Sequence, residues 1–201
     1  MIRAGLTGGL ASGKSFVGRV LQQLGCQVID ADGLGRQVLL RGAEAYEPVL
    51  ARFGAGILAP SREIDRKALA SIVFNAPDRL AELNALVHPA VLRMEEEFLH
   101  RVAQSGTSAI AIVQAAILIE TGSYRRFDKL IVVICTLEQQ VQRAMDRSGY
   151  SREEALARIA RQMPSNEKRA YADYIIDTSG TERETMQQTE IVYQSLRSLE
   201  R

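Results

Sequence analysis

The chain has 201 residues, of which 46% are hydrophobic and 24% are charged, a composition typical of one globular domain and not of a disordered chain. Its 25 Lys and Arg nearly balance its 24 Asp and Glu, so the formal net charge is only +1. A charge this small excludes a polybasic surface as the main feature and argues against a nucleic-acid partner.

The first 30 residues predict a strand, a helix and a second strand. Residues 2–7 form a short apolar run before a glycine pair, which is typical of a buried strand. A helical repeat of apolar residues from Val17 to Leu24 then ends at Gly25, and residues 27–30 read as the next strand. This order predicts a mostly parallel sheet.

The middle of the chain changes to helical periodicity. Apolar residues recur at helical spacing in 67–73, 78–87 and 91–102. Pro89 stands near the start of the last segment, where its missing N–H would be harmless, so we predict separate helices before and after it. Residues 33–106 are therefore interpreted as a helical insertion.

Strand patterns return in the second half of the chain. Residues 108–113, 129–135 and 173–176 are short apolar runs that complete a five-stranded α/β core. A final amphipathic helix is predicted, with the apolar residues Met186, Ile191, Val192 and Leu196.

Neither the N-terminus nor the cysteines indicate export. The first residues carry no basic segment followed by a long apolar one, and the most apolar stretch, 109–119, is too short to span a bilayer. Cys26 and Cys135 belong to no CxxC pair, which favours two buried thiols in a reducing compartment. We expect a cytoplasmic protein that does not enter a membrane.

The strongest motif is GGLASGKS at residues 8–15, a complete match to GxxxxGK[ST] between a predicted strand and a predicted helix. Its glycines allow backbone N–H groups to converge on phosphate oxygens, and the helix N-terminus adds positive partial charge. Lys14 would reach the β- and γ-phosphates, and the Ser15 hydroxyl would ligate Mg²⁺. The motif predicts a nucleoside triphosphate site, and the alternative is a plain glycine-rich turn.

Two aspartates follow the second predicted strand. In an extended chain Asp30 and Asp32 project to the same side, at the strand ends where ligands of open α/β sheets bind. A carboxylate there could accept a proton from an attacking hydroxyl. The alternative for Asp32 is a helix cap or turn aspartate.

The order of the motifs resembles the dephospho-CoA kinase family. GLTGGLASGKS is followed by VIDAD, LVHP, ILIETG, a QxxRxxxR segment and ADYIIDTSG, over nearly the whole chain. The resemblance implies a P-loop NTPase-type three-layer sandwich with a five-stranded parallel sheet. It also implies transfer of phosphate from ATP to the ribose 3′-hydroxyl of dephospho-CoA, the last step of coenzyme A synthesis, with Mg²⁺ as cofactor. No obligatory protein partner is expected.

The resemblance also implies a division of the chain and a set of site residues. We interpret residues 1–201 as one kinase domain with a core at 1–32, 107–142 and 170–201, an acceptor-binding insertion at 33–106 and a lid at 143–169. The implied catalytic residues are Asp32 as base, Lys14 and Arg143. The implied ATP-binding residues are Gly9, Ala11, Ser12, Gly13, Lys14, Ser15, Phe16, Arg147 and Thr178. The implied acceptor-binding residues are Thr7, Asp32, Arg66, Phe74, His88, Pro89, Ile117, Glu120 and Arg161.

The lid interpretation depends on the arginines of residues 143–169. A solvated helical face is the plain alternative, but in nucleotide kinases lid arginines neutralise charge on the transferring phosphoryl group. The family pattern selects Arg143 and Arg147, and then Arg158 and Gln162.

The sequence departs from the family pattern at several positions. Phe16 and Thr178 replace a usual Thr and Asn, and residues 115–119 (AAILI) replace a more typical VPLLF. Gln114 ends the third predicted strand where an acid is common, and a neutral amide cannot replace a carboxylate in holding a hydrated Mg²⁺.

Two other functions stay open at this point. One is another small-molecule P-loop kinase, acting on a nucleoside, a sugar or a shikimate-like acceptor, although the VIDAD, HP and ADYIIDTSG combination speaks against it. The other is a nucleotide-binding regulator or scaffold without transfer chemistry, which Gln114 makes conceivable.

Overall fold

The computed structural model describes residues 1–74, 76–105 and 110–199. They form two compact units, the first comprising residues 1–30 and 99–201 and the second residues 31–98. The helices in chain order are α1 (Lys14–Gln23), α2 (Ala31–Gln37), α3 (Tyr46–Phe53), α4 (Arg66–Val73), α5 (Pro77–Gln104), α6 (Leu137–Ser148), α7 (Arg152–Ile159), α8 (Ser165–Lys168) and α9 (Glu182–Ser198).

The first unit is built on a sheet of five parallel strands, as the sequence predicts. They are β1 (Ile2–Gly8), β2 (Gln27–Asp30), β3 (Ile110–Gln114), β4 (Lys129–Ile134) and β5 (Tyr174–Asp177), in the spatial order β2-β3-β1-β4-β5. The predicted first residues of β3 lie outside the described part of the chain. Because all strands run in one direction, the carboxyl ends of β1, β3 and β4 meet at one edge of the sheet.

The core of the first unit explains the apolar runs of its strands. Leu6, Val17, Ile131 and Leu196 are fully buried in one cluster that joins β1 and β4 to α1 and α9. A strand that is covered on both faces of the sheet has no solvent-exposed face, so its sequence is a continuous apolar segment. Cys26 packs into the same cluster, and Cys135 is also buried, as predicted.

The prediction for the buried face of α9 is partly wrong. Met186 and Ile191 are 40% and 67% exposed. The buried face is instead completed by Thr185 and Thr189, whose hydroxyls donate to the carbonyls of the preceding turn. A threonine that satisfies its hydroxyl in this way can take a core position that periodicity of apolar residues does not reveal.

The second unit contains α2, α3, α4 and the greater part of α5 around a separate core that includes Tyr46, Val49, Ile57 and Leu69. The prediction of separate helices before and after Pro89 is wrong, because α5 runs without a break from Pro77 to Gln104. Leu83, Leu86 and Val87 before the proline and Ala90, Val91 and Met94 after it pack on the same core. This packing on both sides of Pro89 offsets the lost backbone hydrogen bond. Among the described helices, none combines the length and the apolar character needed to cross a membrane.

Candidate active site

The glycine-rich segment 8–15, called here the loop of residues 8–15, runs from the last residue of β1 through a tight turn into the first two residues of α1, at the carboxyl edge of the sheet. Gly13 has a φ of 88°, in the left-handed region that favours glycine. A Cβ on Gly13 would also lie 2.9 Å from both Cγ2 and Oγ1 of Thr178, so there is no space for a side chain. Since α1 begins at Lys14, the positive end of its dipole opens on this loop.

A cavity of about 650 Å³ lies over the loop and brings together residues from distant parts of the chain. It is lined by Arg143 and by every residue predicted to bind ATP, namely Gly9, Ala11, Ser12, Gly13, Lys14, Ser15, Phe16, Arg147 and Thr178. It is also lined by Gly180, which belongs to the ADYIIDTSG motif, and by residues that sequence reasoning did not select, namely Arg19, Asp146, Glu182 and Thr185. Its size is that of a small-molecule site.

Thr178 is the link between Arg143 and the loop. The Thr178 hydroxyl donates to the buried carbonyl of Ser12 at 2.8 Å and accepts from Nη1 of Arg143 at 2.9 Å. Nη2 of Arg143 donates to the Thr178 carbonyl at 2.7 Å, so the guanidinium is held at two points. Burial raises the pKa of the neighbouring Cys135 thiol, which keeps it neutral at pH 7.

Two glutamine side chains form hydrogen bonds with the backbone of the loop, a role that sequence reasoning missed. The Leu10 N–H donates to Oε1 of Gln162 at 2.7 Å, and the Leu10 carbonyl accepts from Nε2 of Gln140 at 2.8 Å. Gln140 stands three residues before Arg143, on the same face of α6. Its place in the QxxRxxxR segment was the available signal.

The helices α6 and α7, in residues 137–159, pack together against the loop of residues 8–15. Val141, Ala144 and Ala155 are buried together, with Leu10 and Ala11 of the loop packed against them. The Arg152 guanidinium on α7 forms two hydrogen bonds to the Glu138 carboxylate on α6, and it lowers the pKa of that carboxyl. The pair is solvent-exposed, so the apolar contacts matter more for holding α7 in place.

The predicted acceptor residues of the first unit do not line this cavity. Thr7 is buried, and its hydroxyl donates to the Ala116 carbonyl at 3.2 Å. Oε1 of Glu120 accepts from Nζ of Lys168 at 2.8 Å and from the Met163 N–H at 3.0 Å. Ile117 and Arg161 are exposed.

The second unit holds its own cavity of about 310 Å³. Asp32, Arg36, Arg66 and Asn84 supply its polar lining, and its apolar wall includes Leu69. Arg66 opens α4, whose preceding Asp65 caps the helix by accepting from two backbone N–H groups. Of the other predicted acceptor residues in this unit, Phe74, His88 and Pro89 do not line the cavity and are exposed.

The geometry predicted for the two aspartates is wrong. Asp30 is the last residue of β2, whereas Asp32 already lies in the first turn of α2. The chain is therefore not extended between them, and the rule that residues i and i+2 share a side does not apply.

The residues at the start of α1 fit a magnesium ion that is held mainly by a nucleotide. Ser15 lines the cavity, and the described residues contain no group of three or more acidic, His or Cys side chains that could hold a metal by themselves. Mg²⁺ commonly takes few protein ligands and completes its octahedron with phosphate and water. Gln114 ends β3 as predicted, is 7% exposed, and directs its side-chain oxygen at Gly18, one turn after Ser15 on α1.

Comparison with known proteins gives a consistent result. The family model described as dephospho-CoA kinase matches residues 2–184. The dephospho-CoA kinase of Geobacter sulfurreducens is 45% identical over 189 residues, which cover 94% of this chain and 95% of that protein. A solved structure from Thermus thermophilus matches with a TM-score of 0.84 and 36% identity, over 96% of both chains. The dephospho-CoA kinase from Campylobacter jejuni matches with a TM-score of 0.71 and 27% identity, over 98% of this chain and 97% of the other.

Proposed function

Since the chain belongs to the dephospho-CoA kinase family, we propose that it phosphorylates the ribose 3′-hydroxyl of dephospho-CoA with ATP, at the cavity over the loop of residues 8–15. The observation that carries this assignment is the convergence of Lys14, Arg143 and Arg147 on one cavity above a glycine-rich loop. Three cations and a helix N-terminus suit a triphosphate and the charge that develops during its transfer.

The loop of residues 8–15 and the two arginines bind ATP in different ways. The loop backbone and Lys14 bind the β- and γ-phosphates, and Phe16 and Thr178 line the cavity beside them. Arg143 is held at two points by Thr178, so the protein itself orients its charge at the cavity. A donor fixed in this way does not have to reorganise during the reaction.

Magnesium is the proposed cofactor. When bound, it neutralises phosphate charge and orients the β- and γ-phosphates. The Ser15 hydroxyl would be its protein ligand, because it lines the cavity at the first turn of α1.

Asp32 is proposed as the general base and the second unit as the acceptor-binding part of the enzyme. Asp32 follows the carboxyl end of β2 by two residues, and β2 ends at the same sheet edge as the loop of residues 8–15. Its carboxylate would take the proton of the 3′-hydroxyl as that oxygen attacks the γ-phosphorus and ADP leaves. Arg36 and Arg66 line the cavity that contains Asp32, which suits an acceptor rich in phosphate.

We further propose that residues 143–169 act as the lid and that the enzyme works in the cytoplasm on two small-molecule substrates, without an obligatory protein partner. Two buried free thiols support a reducing compartment.

A coupled assay of ADP release tests the function. Dephospho-CoA should be turned over with ATP, while a nucleoside, a sugar or shikimate should not. The Asp32→Asn variant should lose ~10²–10⁴-fold in kcat with little change in ATP affinity. Asp78→Asn is the matched control, since Asp78 is another exposed aspartate in the first turn of a helix. Turnover of another acceptor alone would refute the substrate assignment, and a fully active Asp32→Asn would refute the base.

A further inference from the structure

Lys168 is a buried charge that the proposed reaction does not use. Its side chain is only 1% exposed, and a lysine is almost never buried to this extent unless its charge has a partner. Nζ of Lys168 forms an ion pair with Oε1 of Glu120 at 2.8 Å and donates to the Ala116 carbonyl at 2.9 Å. Both partners belong to the segment 115–122 that leaves β3.

The partners of Lys168 continue to the loop of residues 8–15 in two directions. In one direction, the Ala116 carbonyl also accepts from the hydroxyl of Thr7, the residue directly before the loop. In the other, Oε1 of Glu120 accepts from the Met163 N–H, and the adjacent Gln162 accepts from the Leu10 N–H. The contacts therefore form a closed ring that starts at Thr7 and returns to Leu10.

We propose that Lys168 is a positioning residue, which fixes the first half of the loop of residues 8–15 by joining the segment 115–122 to the segment 162–168. The proposal deepens the proposed function, because the loop it fixes is the one assigned to the phosphates of ATP. Lys168 would act through Ala116 and Glu120 and would not itself touch the reacting atoms.

Stability alone does not account for this arrangement. Lys168 is buried, whereas the Glu120 side chain stays 23% exposed, and a buried charge paired in this way is often replaceable by an apolar residue of similar volume without loss of stability. The ion pair between Lys129 and Asp173, at 2.9 Å, lies at the start of β4, and both of its side chains stay about one-third exposed. Nζ of the buried Lys168 bonds to two acceptors of the segment 115–122, the Ala116 carbonyl and the Glu120 carboxylate, and so ties that segment to the one that carries Lys168. An apolar side chain cannot make these directed contacts.

The test compares Lys168→Met with the double variant Lys168→Met/Glu120→Gln. Methionine keeps most of the volume of lysine. The amide oxygen that replaces the Glu120 carboxylate can still accept from the Met163 N–H, and the double variant leaves no carboxylate without its lysine partner. Lys129→Met is the matched control, because it also breaks a lysine–carboxylate pair, but at the amino end of β4. For each protein we would measure thermal unfolding, kcat, both KM values and hydrogen exchange of residues 5–12.

The double variant should fold and exchange the Leu10 amide at least about tenfold faster. It should also lose at least about tenfold in kcat, since a misplacement near 1 Å costs on the order of 100-fold. The control should match the wild type in both measurements. A folded double variant with wild-type exchange and kinetics would overturn the proposal, and so would a double variant that cannot fold, since Lys168 would then serve stability only. If the wild type does not turn over dephospho-CoA, the proposed function fails, yet the exchange of Leu10 still decides the role of Lys168.

Discussion

Replacing Thr178 by valine isolates the hydroxyl that joins Arg143 to the loop of residues 8–15. Valine keeps the branched shape next to Gly13, so no cavity opens there. The substitution removes the donor to the Ser12 carbonyl and the acceptor of Nη1 of Arg143. The second contact of Arg143, to the Thr178 carbonyl at 2.7 Å, involves the backbone and remains.

The expected loss of stability follows from the buried Ser12 carbonyl. A buried polar group that loses its partner costs about 1–3 kcal/mol. At ~2–4 °C per kcal/mol for a chain of this length, a central loss of about 2 kcal/mol lowers Tm by roughly 4–8 °C. Since Arg143 keeps one of its two contacts, kcat should fall by only about tenfold, less than for loss of a whole transition-state donor.

The assay is a thermal melt together with ADP-release kinetics, with Thr178→Ser as the control. Serine keeps the hydroxyl and loses only a methyl group, worth ~1 kcal/mol, so its kcat should stay near that of the wild type. If the valine variant has wild-type kcat, or if the serine variant loses as much as the valine variant, the hydroxyl does not position Arg143.

Three further predictions concern the proposed reaction. Lys14→Ala should remove most ATP binding while circular dichroism shows an intact fold, because Lys14 lines the cavity and is not in the core; unchanged ATP affinity would contradict the assignment. Gln114→Glu should lower the Mg²⁺ concentration for half-maximal activity, since charge-assisted hydrogen bonds are roughly twice as strong as neutral ones, and superimposable titrations would rule this out. Residues 143–169 should gain protection from hydrogen exchange with a nonhydrolysable ATP analogue, and equal exchange in both states would reject the lid.

Local patterns were sufficient for the features that depend on neighbours in sequence. The loop of residues 8–15, the strand β2 and the helical repeat of α1 each occupy one contiguous stretch of sequence, and the predicted bounds of β2 and α1 lie within three residues of the observed ones. The unbroken course of α5 through Pro89 was not predictable in this way, because it depends on packing against the core of the second unit.

The contacts around the loop are long-range, which explains why sequence reasoning missed them. Gln162 lies 152 residues after Leu10, and Lys168 lies 52 residues after Ala116. Among the charged residues of the sequence, Lys168 looks like part of the exposed lid, and only the fold shows it buried beside Glu120. Likewise, Thr185 and Thr189 lie on the buried face of α9, but as polar residues they do not contribute to the apolar repeat from which that face was predicted.

The hydrogen bonds of Gln140 and Gln162 with the Leu10 backbone affect which positions of this loop can vary independently among homologous chains. One hydrogen bond involves the N–H of Leu10 and the other its carbonyl, and every residue except proline has both groups. The side chain at position 10 is therefore restricted only by its apolar packing against α6 and α7. Position 9 is different, because a Cβ on Gly9 would come within 2.5 Å of Nε2 of Gln140. Homologous chains should therefore show paired changes between positions 9 and 140, and independent variation between position 10 and either glutamine.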